Sequence, residues 1–227
     1  MSGSAEVKVE TAGLLFDMDG VLVSSIGSVL RCWRRWATHY GVPESQPIHI
    51  AHGTRALEIM DSIKPGVDKV EGLKLIEDME IEDVGDLKVL PGVRALVASL
   101  PVERWAIVTS ATKRLMEGRL KAAELPVPER LISGDMVERG KPDPEPYRRG
   151  AGLIGARPQD CVVVEDAPSG VGSGVAAGCR VLGVLGTHTA AELRAAGAAW
   201  VVGSLEDVSA EVVEGGLELR FVAVREE

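Results

Sequence analysis

A doubly wound α/β sheet of parallel strands, carrying a small inserted helical domain, is the fold predicted by this 227-residue sequence. Three observations predict it. Short apolar runs stop abruptly at polar residues, as strands buried on both faces do. Helical patterns stand between those runs, so that strand and helix alternate. One stretch, residues 26–88, breaks the rhythm with helix-like patterns and no good strand.

The first run, Ala12–Phe16 (AGLLF), has flanking glycines and ends at Asp17-Met18-Asp19-Gly20, which suits a buried strand. The insert follows, with helix-like stretches over Val29–Tyr40 and Arg55–Ile63. Leu90-Pro91-Gly92-Val93 marks the return to the main body, because Pro and Gly punctuate such joins. A helix over Val93–Leu100, a strand over Trp105–Ser110 and a helix over Arg114–Ala123 come next, and three further strands follow at Cys161–Asp166, Arg180–Leu185 and Trp200–Gly203. The division is therefore residues 1–25 and 89–227 for the core and 26–88 for the insert. The ends, residues 1–11 and 224–227, read as mobile termini.

Composition narrows the function. Hydrophobic residues at 45% and charged residues at 26% can fill one sizeable core and argue against extensive disorder. Aromatic residues are only 4%, so aliphatic side chains build that core and platforms for stacking single-stranded nucleic acid are not expected. The 34 acidic residues outnumber 25 basic ones for a net charge of -9, with no Lys/Arg stripe, so no nucleic-acid partner is expected. Cys32, Cys161 and Cys179 make neither a CxxC pair nor a disulfide framework, a pattern of reducing compartments. No basic-then-apolar leader is present, and no apolar run nears the roughly 20 residues of a membrane helix. The expectation is a cytoplasmic protein without a membrane partner, either a monomer or a weak homodimer.

Ligands of an open parallel sheet bind beyond the carboxyl ends of its strands. Three predicted strands end in Asp17-Met18-Asp19, Thr109-Ser110 and Glu165-Asp166, so the topology brings several carboxylates and a hydroxyl to one edge. Clustered carboxylates raise one another's pKa unless a cation sits among them, and an oxygen-only set without histidine suits Mg2+. Lys141, in Arg139-Gly140-Lys141-Pro142-Asp143-Pro144, supplies a fixed monovalent cation, with the two prolines expected to keep the following backbone extended. Mg2+ and Lys141 together would neutralise phosphoryl oxygens, so that an anionic nucleophile can approach phosphorus.

Simpler readings of these residues fail. A calcium loop starting at Asp17 would need an acidic or amide residue at Val21 and a glutamate at Ser28. The glycines of residues 170–178 lack dinucleotide-loop spacing, and Lys141 is followed by Pro rather than by the Ser or Thr of a P-loop. His39, His49, His52 and His188 show no metal-ligand spacing. Trp33 and Trp36, three apart on a helical pattern, read as core of the insert.

Asp17-Met18-Asp19-Gly20-Val21-Leu22-Val23, Ile107-Val108-Thr109-Ser110, Gly140-Lys141-Pro142-Asp143-Pro144 and Val164-Glu165-Asp166-Ala167-Pro168-Ser169-Gly170 resemble, in order, the four motifs of the haloacid dehalogenase-like hydrolase superfamily. The insert resembles that family's helical cap, which implies a Rossmann-like core under a substrate-selecting lid. The resemblance implies that Asp17 is the nucleophile, forming an aspartyl-phosphate, and that Asp19 is the general acid and then the base. Ser110 and the amide of Ala111 would bind the phosphoryl group, and Lys141 would stabilise it together with Asp17. Asp17, the Asp19 carbonyl and Asp166 would hold Mg2+, with Glu165 a further metal-site residue. A second aspartate two positions after the first disfavours dehalogenation, since an alkoxide leaving group needs a proton donor within reach.

Longer matches over Trp105–Thr112, Gly140–Tyr147 and Val164–Gly170, with Ala176–Cys179 after them, are similar to phosphatases of 2-deoxyglucose 6-phosphate and glycerol phosphate. His52-Gly53-Thr54-Arg55 resembles their specificity loop and makes His52 and Arg55 candidate substrate contacts. The function implied is a Mg2+-dependent phosphatase of a small sugar or polyol phosphate ester. Two rivals stand beside it: a phosphosugar mutase of the β-phosphoglucomutase type and a non-catalytic phosphometabolite-binding module. Val29, where the mutase carries a histidine, counts against the first, and the intact set Asp17, Asp19, Lys141 and Asp166 counts against the second. Ser24, where the first motif often continues with aspartate, is a departure at the joint between core and insert.

Overall fold

The computed structural model describes residues 6–48, 50 and 52–225. In chain order its strands are β1 (Glu6–Thr11), β2 (Gly13–Phe16), β3 (Val23–Ser24), β4 (Lys88–Val89), β5 (Trp105–Val108), β6 (Leu131–Ile132), β7 (Cys161–Glu165), β8 (Arg180–Val184), β9 (Trp200–Val202), β10 (Val208–Val213) and β11 (Gly216–Val222). The helices are α1 (Ile26–His39), α2 (Ala56–Ile63), α3 (Lys69–Glu82), α4 (Val93–Ser99), α5 (Lys113–Ala122), α6 (Glu145–Leu153), α7 (Pro168–Ala177) and α8 (Ala190–Ala195).

Six strands pair in the order β6-β5-β2-β7-β8-β9, all parallel, with β2 between β5 and β7. Every residue of β2, β5 and β7 is buried because helices cover both faces of the sheet. Successive side chains alternate between those faces. Leu14, Phe16, Ile107 and Val164 pack with Leu96 of α4 and Met116 and Leu120 of α5. Leu15, Val108 and Val163 pack on the other face with Tyr147 of α6 and Val171 of α7. The predicted doubly wound sheet is thus present, and the predicted strands differ from the observed ones only at their ends.

Residues 6–11 and 224 depart from the expectation of mobile termini, while residues 1–5, 226 and 227 lie outside the described residues. Glu6–Thr11 is a strand, paired antiparallel with β11 from Glu6 opposite Val222 to Thr11 opposite Leu217, and β10 pairs along the other side of β11. Val9, Leu217, Leu219 and Phe221 face the core from this ribbon. Val224 is tied as well, its amide donating to the Val201 carbonyl at 2.7 Å. The physical reason is an alternation with period two that buries one face of a polar-looking ribbon.

Within residues 26–88, helices α1, α2 and α3 enclose their own apolar cluster, which contains Trp33, Trp36, Met60, Ile63 and Ile76. The Trp36 indole donates to the Gly72 carbonyl at 2.9 Å, and the Asp68 side chain caps α3 by accepting from the amides of Val70 and Glu71. Where the chain leaves and re-enters the main body, β3 and β4 pair antiparallel, Val23 opposite Val89 and Ser24 opposite Lys88. Cys32, Cys161 and Cys179 are free and buried, and burial pushes the Cys161 thiol up to about 11, away from nucleophile chemistry. Among the described residues no helix is long and apolar enough to cross a membrane.

Candidate active site

β2 delivers Asp17 to the carboxyl edge of the sheet, its amide still on the Val164 carbonyl of β7 at 3.0 Å. The neighbouring end of β7 delivers Glu165 and Asp166, and the three carboxylates are buried, with one oxygen from each lying within 4.8 Å of the other two. Into this group the buried Lys141 inserts its ammonium, donating to Asp17 Oδ1 at 2.6 Å and Glu165 Oε1 at 2.7 Å. The segment around Lys141 is a turn with a cis Lys141–Pro142 peptide, closed by the Asp143 amide on the Gly140 carbonyl at 2.9 Å, and not the extended run expected from its prolines.

Glu165 is saturated with donors. Its Oε1 also accepts from the Tyr147 hydroxyl at 2.9 Å, and its Oε2 accepts from the amides of Asp166 and Ala167 at 3.0 and 3.1 Å. Two glycines make room for the acids. A Cβ at Gly170 would lie 1.6 Å from Glu165 Oε1, so only glycine lets α7 start so close to the sheet. At Gly20 a Cβ would lie 1.9 Å from Asp166 Oδ2, and φ is +88°, so both space and backbone demand glycine.

Charge in this pocket does not balance. Burial pushes the Asp17 carboxyl up to about 7, against the pull of Lys141, with Glu165 and Asp19 adding to the rise. Asp166 is raised well above the usual range, first by burial and then by Glu165 and Asp17, while the Thr187 hydroxyl donates to it. Lys141 is held above its ordinary pKa because Asp17 and Glu165 outweigh the burial that opposes its charge. Three carboxylates against one ammonium, all through oxygen donors, is a set that fits a hard divalent cation such as Mg2+.

Asp19 stands beside this group and is paired separately. Its Oδ1 accepts from the Ser25 hydroxyl at 2.7 Å and its Oδ2 from Arg119 of α5 at 2.7 Å. Arg119 is only 4% exposed, and its second arm donates to Glu80 of α3 at 2.6 Å. The sequence reading missed Arg119 and Glu80. A signal for Arg119 was present: with Leu115, Met116 and Leu120 it falls on the buried face of its helix, where a charge needs a partner.

The remaining expected residues divide. Ser110 is at the site, where its hydroxyl donates to the Gly53 carbonyl of the insert at 2.6 Å, and the Ala111 amide donates to Thr109 Oγ1 at 3.1 Å. His52 lines the cleft between core and insert with Asp17, Asp19 and Ser110. Its ring meets that of His188 edge-on at 6.1 Å, and burial, then His188, lowers its pKa. Arg55 is engaged at the seam beside the cleft, donating to Glu58 and to the carbonyls of Val137 and Glu138. Val29 and Trp33 also line the cleft, so Trp33 is both insert core and cleft wall. His49 lies outside the described residues.

A family model described as haloacid dehalogenase-like hydrolase matches residues 14–184, a span that holds all four motifs and the insert. The chain is 41% identical to hexitol phosphatase A of Escherichia coli (strain K12) over 76% of this chain and 82% of that one. It is 32% identical to 2-deoxyglucose-6-phosphate phosphatase 2 of Saccharomyces cerevisiae, over 86% and 88%. Among solved structures, that of a hydrolase from Pseudomonas syringae superposes with a TM-score of 0.77 at 25% identity, covering 87% of this chain and 95% of that one.

Proposed function

The chain belongs to the haloacid dehalogenase-like hydrolase family, and from that premise we propose that it is a Mg2+-dependent phosphatase of small sugar or polyol phosphate esters, working through an aspartyl-phosphate on Asp17. The observation that carries this reading is the Asp17 carboxylate held by the Lys141 ammonium at 2.6 Å, inside a buried acidic cluster at the carboxyl edge of the sheet. The names of the relatives, a hexitol phosphatase and a 2-deoxyglucose-6-phosphate phosphatase, support the substrate class.

In this reading the Asp17 carboxylate attacks phosphorus and the bond from phosphorus to the ester oxygen breaks. Asp19 gives its proton to the leaving alkoxide oxygen. Asp19, now a carboxylate, takes a proton from the water that attacks the aspartyl-phosphate, and inorganic phosphate leaves with Asp17 regenerated. Lys141 stabilises the phosphoryl oxygens, and Ser110 and the Ala111 amide bind them by exchanging their present partners, the Gly53 carbonyl and Thr109, for the substrate. Asp17, Asp166 and the Asp19 carbonyl would hold Mg2+, which when bound neutralises charge on the phosphoryl group. Glu165, saturated by donors from the chain, anchors Lys141 and adds its charge from behind the ligands.

Residues 26–88 act as a lid hinged at the β3–β4 pair. Its loop meets the core through Ser110 on the Gly53 carbonyl and Ser169 on the His52 carbonyl at 3.0 Å, so closure brings His52 over the ester and excludes water. Arg55 holds the seam of the closed form.

The test is a panel of phosphate esters, including hexitol, 2-deoxyglucose and glycerol phosphates, incubated with and without Mg2+ while free phosphate and isomerised sugar are both followed. Release of phosphate that EDTA abolishes is expected. Isomerised sugar without free phosphate would show a mutase, and no turnover of any ester would leave only phosphometabolite binding.

A further inference from the structure

Arg119 is a buried cation for which the chemistry above has no task. Its guanidinium divides between two carboxylates from distant parts of the chain: one arm donates to Asp19 Oδ2 at 2.7 Å and the other to Glu80 Oε2 at 2.6 Å. Asp19 belongs to the loop after β2, and Glu80 to α3 of the insert. A guanidinium keeps its protons at any usable pH and presents them in a rigid fork, so a carboxylate oxygen facing it remains an acceptor. Asp19 Oδ1 faces a different partner, the Ser25 hydroxyl at 2.7 Å, which can rotate from donor to acceptor. The two oxygens of Asp19 are therefore unequal: Oδ2 is pinned, and Oδ1 is able to carry a proton.

We infer that Arg119 is the positioning residue for Asp19, holding Oδ2 so that Oδ1 exchanges the proton with the leaving group, and that Glu80 fixes the reach of Arg119 when α3 is seated on α5. This rests on the acid–base role proposed for Asp19. The seam between α3 and α5 supports it at three further points. Glu77 accepts from the Thr112 hydroxyl and, at 3.1 Å, from Arg114. Asp78 accepts from the other arm of Arg114. Ile81 lies against Gly118, where a Cβ would come within 3.0 Å of its side chain, so glycine lets α3 and α5 sit this close. A lysine at 119 keeps the charge but cannot hold both carboxylates with a fork.

The leaving group separates this role from a merely structural ion pair. An alkoxide such as that of glycerol must be protonated as it departs, whereas p-nitrophenolate leaves as a stable anion without a proton. Arg119→Lys, Arg119→Met and Glu80→Gln are compared with the wild type on glycerol phosphate and p-nitrophenyl phosphate in Mg2+, with kcat and KM separated and thermal unfolding recorded for each. Both Arg119 variants are expected to lose roughly 10–100-fold in kcat on glycerol phosphate and less than about threefold on p-nitrophenyl phosphate. Glu80→Gln is expected to raise KM for glycerol phosphate about 3–10-fold with kcat nearly unchanged, because seating of α3 weakens. An equal loss on both esters, or no loss on glycerol phosphate, overturns the assignment to Arg119. An unchanged KM in Glu80→Gln overturns the coupling to α3. Should Arg119→Met fail to fold, Arg119→Lys carries the same comparison. Where the wild type prefers another alkyl ester of the panel, that ester replaces glycerol phosphate in the comparison. A wild type that hydrolyses no ester overturns the phosphatase reading and this inference with it, whereas a wild type that hydrolyses both kinds, with unselective losses in the variants, overturns the inference alone.

Discussion

Lys141 and Arg119 are both buried cations held between two carboxylates, yet the elements that hold them differ. The partners of Lys141, Asp17 and Glu165, stand at the ends of adjacent parallel strands, whose register places Phe16 beside Val164. The partners of Arg119 come from a core loop and from the insert. Sheet hydrogen bonds therefore preassemble the half of the site that would handle the phosphoryl group. The half that would handle the leaving group is complete only while α3 sits on α5. In the proposed reading, phosphoryl chemistry rests on the hydrogen-bonded sheet and substrate selection falls to the insert.

The largest expected effect lies in the rigid half. Asp17→Asn should lower kcat by about 1000-fold or more, since the amide cannot replace the nucleophile, while thermal unfolding shows a folded protein. Retained turnover would remove Asp17 from its role and erase the contrast between the halves. Lys141→Met should follow, costing roughly 3–5 kcal/mol in urea unfolding, because it leaves the buried Asp17, Glu165 and Asp166 without their cation. A smaller loss there than in Arg119→Met would reverse the ranking of the two halves.

A pH measurement sharpens the half that the insert completes. Burial, with smaller contributions from Asp19 and Glu77, raises the Glu80 carboxyl to about 7 against the pull of Arg119. A carboxyl raised on folding binds more protons in the native state than in the unfolded state, so its share of stability is full below its ordinary value near 4.5 and is lost as pH rises through about 7. Wild type compared with Glu80→Gln should therefore lose about 1–3 kcal/mol more in urea unfolding between pH 5 and pH 8. Parallel pH profiles would show that Glu80 does not titrate in this window. The smallest effect is expected at Arg31, whose bonds to Asp83 and Asp86 lie near the hinge but face solvent: Arg31→Ala should shift Tm by little more than the resolution of the measurement.

Much of the central sheet was legible in the sequence because burial on both faces forces continuous apolar runs, as in Cys161–Glu165. The motif residues Asp17, Lys141, Glu165 and Asp166 were legible as a set because parallel topology sends strand ends to one edge, and the structure brings them together. The outer ribbon was not, since Glu211, Glu218 and Arg220 make β10 and β11 look like a solvated tail while Leu217, Leu219 and Phe221 are buried behind them. Helix α3 escaped notice for a related reason: its buried face carries Glu77 and Glu80 beside Ile76, so it shows no clean apolar stripe. Arg119 and Glu80 are partners across separate segments, and only packing brings them together. Arg55 shows the converse, a motif residue whose donors are taken up by Glu58 and main-chain carbonyls.

The most direct test of the central claim is to trap the covalent intermediate: mix the protein with a hexitol or glycerol phosphate and Mg2+, quench in acid, and weigh the peptides. The expected result is one added phosphoryl group on the peptide containing Asp17, absent in Asp17→Asn. Phosphate release by the wild type with no label on that peptide, or with the label on another residue, would contradict the account.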